Sequence, residues 1–139
     1  MSVVRRVTRT AAPVMFLRVA DELPAMQRAW AELEGVVGLR ERRFYGVFDE
    51  RAQEYLVCAG IRPGDPPGRF GLEVGEVAGG DYLRLEGEPP GVYSGIGPGF
   101  RELHALARAD PKRPDVEFYR RRTEVELLMP VITRSSDIG

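Results

Sequence analysis

The feature that most constrains this chain is that it matches itself. Phe16-Leu-Arg-Val aligns without gaps on Tyr82-Leu-Arg-Leu, and both are followed by a glutamate and then a proline. Further on, residues 48–61 align on residues 119–132. Between these pairs lie Trp30-Ala-Glu-Leu33 and Phe100-Arg-Glu-Leu103. Three matches in one order and at similar spacing indicate an internal duplication. Two copies of one supersecondary unit are expected to bury their apolar faces together.

Period and punctuation give the unit its shape. Residues 14–19 are rich in β-formers, and Asp21 is expected to cap the helix that follows, with Pro24 in its first turn. Leu23, Met26, Trp30, Leu33 and Val37 recur at helical spacing as one apolar stripe, and Gly35 and Gly38 close the helix. Strands are expected at 43–48 and 55–61, with a polar turn between them. The second copy repeats the plan, with strands at 81–85, 116–120 and 124–132 and a helix ending near 109. Glycines and Pro98 crowd the start of that second helix. A proline inside a helix costs ~3 kcal/mol, so a late start at Pro98 is expected, after a loop over 91–97. The run 62–68 has the composition of a linker, and 70–77 reads as one further strand.

The expected fold is therefore α+β: one domain over 1–139, made of duplicated βαββ units related by a pseudo-twofold axis. Repeat one covers about 3–62, a linker about 62–69 and repeat two about 70–133. The sheet is mainly antiparallel, with two helices on one face.

Charge and cysteine usage exclude several classes. A net charge of −1 with acidic and basic residues interleaved argues against direct binding of nucleic acid. Cys58 is the one cysteine, so there is no internal disulfide. The N-terminal residues lack the apolar stretch of a signal peptide, and no apolar run approaches a membrane span. A cytoplasmic protein without membrane contact is expected. No cluster of Cys, His or acidic residues has metal spacing, and no glycine-rich segment matches a phosphate loop, so neither metal nor cofactor is expected. His104 stands by itself on a polar stretch of helix, and Arg120-Arg-Arg122 reads as a solvated turn.

Strand alternation then sorts the chemistry. In the last strand Val125, Leu127 and Met129 form the apolar set expected to face the helices, leaving Glu126 and Leu128 opposite. In the strand before it Val116 and Phe118 are assigned to the core, which puts Glu117 and Tyr119 with Glu126. Through the repeat, Phe48 answers to Tyr119, Tyr55 to Glu126, Val57 to Leu128 and Phe16 to Tyr82. The face away from the helices is thus expected to carry aromatics and carboxylates and to line a cleft between the repeats. Trp30 sits in the apolar stripe and is expected in the core, at most edging into the cleft. Cys58, matched to Met129, is expected to be buried and inert. Against this stands a plainer reading, in which Glu126 merely pairs with Arg18 or Arg84.

Several of these residues carry a resemblance. The Tyr82-to-Leu85 strand before its Gly/Pro turn, Trp30, the Glu117-Phe-Tyr119 triplet and Thr123-Glu-Val-Glu-Leu-Leu-Met-Pro-Val131 resemble the small-molecule-binding family of the DNA gyrase inhibitor protein. The same domain is the effector-binding part of multidrug-sensing regulators of the MerR and AraC types. The resemblance spans nearly the whole chain. It implies a hydrophobic ligand pocket with an acidic floor, which falls by position on Glu126.

Three functions follow as expectations. The first is a stand-alone module binding a hydrophobic or cationic small molecule through Glu126, Tyr119, Glu117, Leu128, Tyr55, Phe48, Phe16, Tyr82 and Trp30. The second is a hydrolase of strained electrophiles, a reaction the resemblance implies for some members, with Glu126 as general base. The third is a protein-interaction module resembling the gyrase inhibitor, favoured if side chains fill the cleft. A protein partner or a homodimer stays open. No helix-turn-helix fits, because the repeat consumes the chain.

Overall fold

The computed structural model describes residues 3–86, 92–121 and 124–132 of the chain. The elements are β1 Val3–Arg9, β2 Ala12–Ala20, α1 Leu23–Val37, β3 Phe44–Asp49, β4 Glu54–Gly60, α2 Pro67–Phe70, β5 Glu73–Val77, β6 Gly80–Glu86, α3 Val92–Leu106, β7 Val116–Arg121 and β8 Glu124–Pro130. This is the expected α+β class. The eight strands form one antiparallel sheet in the order β1-β6-β8-β7-β3-β4-β2-β5.

That order is a palindrome about the β7–β3 junction. Strands β2, β4 and β3 on one side answer to β6, β8 and β7 on the other, each set with its helix between the first strand and the next. The outermost strands are exchanged. β1 pairs on β6, and β5 pairs on β2. β1 has no expectation behind it, because Val3-Val-Arg-Arg-Val-Thr-Arg9 alternates poorly.

The short links force the sheet to curl. β1 and β2 stand first and seventh in the order, about 29 Å apart in a flat sheet of ~4.8 Å spacing, yet only Thr10 and Ala11 join them. Two linking residues span at most about 11 Å. The same holds for β5 and β6, joined by Ala78 and Gly79. The two links cross in contact: a Cβ added to Gly79 would lie 2.7 Å from the Ala11 nitrogen. Arg113 ties the crossing down, donating to the carbonyls of Gly79, Asp81 and Val131 while stacking 4.9 Å from the Tyr82 ring.

Curling buries both faces of the sheet. On the helix side Met15, Val57 and Ala59 pack on Trp30 and Leu33 of α1. Leu85, Leu127 and Met129 pack on Leu103 of α3. On the other side Phe16, Tyr45, Cys58, Tyr82, Val116 and Leu128 form a second core inside the curl. This corrects the assignment of faces. Val116 and Phe118 are core residues, but of the inner core, and Glu117 and Tyr119 lie on the helix side, paired with Leu127 and Val125. Alternation identifies a face only where the other face is wet. Here both are apolar.

The match of Cys58 to Met129 also fails, since Cys58 lies in the inner core and Met129 under α3. A register shift between Tyr119 and Arg121 adds one residue and reverses the phase between β7 and β8. Phe16 and Tyr82, by contrast, share the inner core, in equivalent strands.

Three local expectations are revised. The N-cap of α1 is Glu22, with no side-chain cap bond, so Asp21 does not cap it. The linker contains one helical turn, α2, so only 73–77 of the expected strand is extended, and Arg42 binds the linker's Asp65 at 2.6 Å. Helix α3 begins at Val92 with Pro98 inside it. Close packing on the sheet outweighs the lost proline hydrogen bond. Gly99 sits against β8 so tightly that a Cβ would meet Leu127 Cδ1 at 2.2 Å. Residues 87–91 and 122–123 lie outside the described residues, and Arg120 and Arg121, expected in a turn, belong to β7. No helix among the described residues is long and apolar enough to cross a membrane.

Candidate functional site

Helices α1 and α3 lie on the same side of the sheet and leave a cleft between them, about 320 Å³ in volume. Its floor is made by β3, β4 and β7, the strands at the centre of the palindrome. Leu23 and Met26 of α1, Ile96 and Phe100 of α3, and Phe48 of β3 give it apolar walls. Gly97 brings the α3 backbone to the wall. Three carboxylates complete the lining: Asp21 at the end of β2, Asp115 just before β7, and Glu117 within β7. Among the described residues no lysine or arginine lines it.

Glu117 is the chemical centre. It is only 8 % exposed. The hydroxyls of Tyr55 and Tyr119 each donate to its Oε1 at 2.6 Å. Tyr55 reaches it from β4, across the intervening β3, because position 46 is glycine. A Cβ there would lie 1.9 Å from the Tyr55 hydroxyl and 2.7 Å from Glu117 Oε1. Tyr119 is held by an edge-to-face contact with Trp30 of α1, ring centroids 5.2 Å apart. Among the described residues Oε2 of Glu117 receives no hydrogen bond.

Burial governs the ionisation of this group. It pushes the Glu117 carboxyl above the usual range, with the tyrosine bonds opposing and the charges of Asp21 and Asp115 adding to the rise. Tyr55 is pushed well up by burial and by the neighbouring Glu117 charge. Asp115 is raised by burial, and the bond to His104 works against that rise. His104 Nε2 lies 2.9 Å from Asp115 Oδ2, so the histidine is not isolated. A desolvated carboxylate in such surroundings favours a cation or a proton.

The structure divides the expected site residues. Phe48, Tyr55 and Glu117 line the cleft, and Tyr119 reaches it through Glu117. Trp30 lies one layer further in. Glu126, Leu128, Phe16 and Tyr82 lie across the sheet in the inner core. Glu126 pairs with Phe118 in register and binds Arg9 at 3.0 Å, not Arg18 or Arg84. Arg18 binds Glu73, and Arg84 lies 2.9 Å from Glu86. Sequence reasoning missed Asp21, taken for a cap, and Asp115, one residue before the expected strand. A signal existed for Asp115: it is two residues from Glu117 and so shares its side of the strand line.

No family model and no curated protein matches the chain. Solved structures do. An integron cassette protein from the mobile metagenome of Vibrio cholerae superposes with a TM-score of 0.67 at 16% identity, covering 93% of this chain and 95% of that one. SAV2435, solved bound to tetraphenylphosphonium, gives 0.60 at 15% identity over 94% of each chain. A hydrolase from Listeria innocua gives 0.60 at 9% identity, covering 93% and 91%. At these identities the likeness is one of fold.

Proposed function

We propose that this chain binds an apolar small molecule bearing positive charge in the α1–α3 cleft, with Glu117 as counter-ion. One observation carries the reading: a buried carboxylate forms part of the lining of an apolar cleft that no lysine or arginine enters among the described residues. Aromatic and aliphatic walls supply contact area, and the low dielectric strengthens the attraction for a cation. The rim carboxylates add to the field. The fold shared with SAV2435, whose ligand there is a lipophilic cation, supports the reading. So does the resemblance to the gyrase-inhibitor family, with its acidic pocket floor carried by Glu117 rather than Glu126. An open cleft favours ligand binding over an interaction module, which needs no cavity.

The test is titration with tetraphenylphosphonium and with tetraphenylborate, ions of one shape and opposite charge. Tetraphenylphosphonium is expected to bind at least tenfold tighter than the borate. Glu117→Gln should weaken it roughly 10- to 100-fold, about 1.4–2.8 kcal/mol. Equal binding of the two ions overturns the proposal.

A second reading rests on the two hydroxyls that converge on one carboxylate. The group could also hydrolyse a strained electrophile, with Glu117 taking a proton from the attacking water and a tyrosine hydroxyl near the leaving oxygen. Turnover of a strained epoxide that disappears in Glu117→Gln would support it. Binding without turnover would leave the module reading alone.

A further inference from the structure

The two oxygens of Glu117 are not equivalent. Oε1 already accepts two hydrogen bonds, from Tyr55 and Tyr119, each 2.6 Å long. Oε2 accepts none among the described residues, although the side chain is almost fully buried and lines the cleft. Gly46 fixes this division. It lets the Tyr55 hydroxyl come in over β3, and any side chain there would push it away. Tyr119, braced by Trp30, holds the same oxygen from its own strand. The carboxylate is therefore oriented before a ligand arrives, with one acceptor satisfied and the other unmet.

Resting on the cation-binding reading, we infer that the cleft is built for an ammonium bearing an N–H, an apolar primary, secondary or tertiary amine in its protonated form, rather than for a quaternary cation. A quaternary nitrogen or a phosphonium neutralises the charge of Glu117 but leaves Oε2 without a donor. An N–H donor supplies both in one contact, and charge-assisted bonds of this kind are short and strong. An acceptor that a ligand covers without offering it a donor lowers affinity, because the water it loses is not replaced. Asp21 and Asp115 also line the cleft, and an amine bound to either of them instead would keep its advantage in Glu117→Gln.

The experiment compares 3,3-diphenylpropyl-dimethylamine with 3,3-diphenylpropyl-trimethylammonium by calorimetric titration near neutral pH, where both are cationic. The amine is expected to bind the wild-type chain at least tenfold tighter, and the ratio should fall close to one in Glu117→Gln. The wild-type ratio decides the matter without the variant. If both probes bind equally and both weaken in Glu117→Gln, the cation reading stands and the donor inference fails. If the amine keeps its advantage in Glu117→Gln, the preference comes from elsewhere and the inference fails. If neither probe nor tetraphenylphosphonium binds, both readings fall together.

Discussion

Tyr55 and Glu117 belong to strands that do not touch, and the 2.6 Å hydrogen bond between them passes over the bare backbone of Gly46. The centre of the site thus depends on a residue with no side chain. Gly46→Ala should displace the Tyr55 hydroxyl, weaken tetraphenylphosphonium binding several-fold and cost roughly 1–3 kcal/mol of stability in urea unfolding. Gly35→Ala, in a helix position where a Cβ meets nothing within 4 Å, is the comparison. It should gain about 0.5–1 kcal/mol. If both alanines behave alike, the crossing at Gly46 carries no energy.

The raised Glu117 carboxyl makes stability depend on pH in a stated direction. A carboxyl raised in the folded state holds its proton more tightly there than in the unfolded chain. Its contribution is complete below the unfolded value and is lost as pH rises through the folded one. Glu117→Gln should therefore gain on the wild type as pH rises from acid toward neutral, measured as urea midpoints. Cation affinity of the wild type should climb over the same window, since the ligand prefers the ionised form. Parallel stability curves would mean that Glu117 titrates as it does in water.

Glu126 is 4 % exposed and bound to Arg9. Glu126→Gln should leave tetraphenylphosphonium binding within about twofold and lower stability by about 1–2 kcal/mol. A large loss of binding with no loss of stability would return the acidic floor to the inner side of the sheet.

Cys58 lies in the inner core, where burial pushes its thiol up to about 12. Only the thiolate attacks a disulfide reagent. Labelling by such a reagent should be negligible in the native chain at mildly alkaline pH and complete in denaturant. Rapid native labelling would show that the inner core opens.

The repeat was legible because its anchors are large and occupy equivalent strands: Phe16 and Tyr82 meet in one core, and Leu33 and Leu103 anchor the two helices. The site was legible only in part. Glu117, Tyr119, Tyr55 and Phe48 stood among the expected residues, but alternation sent Glu117 and Tyr119 to the wrong side and the repeat carried Tyr55 and Phe48 with them. Val116 and Phe118 are as apolar as Leu127 and Met129, so no pattern distinguishes a core under helices from a core inside a curl. The register shift near Tyr119 then carried the phase error into the comparison of repeats. The proline in α3 misled for another reason. Local propensity disfavours a helix there, and packing of Gly99 on Leu127 overrides it.

The exchange of outer strands has a consequence for how the chain is made. β1 leaves the ribosome before the other seven strands, yet its ladder runs from Arg9 opposite Gly80 to Val3 opposite Glu86. Its partner strand is not synthesised until after the whole first unit. β2 likewise waits for β5 before its outer edge is covered. Neither half can finish on its own, and pairings so distant in sequence close slowly. The nascent first unit must therefore survive for a time with an open edge, and the second unit completes it as it completes itself.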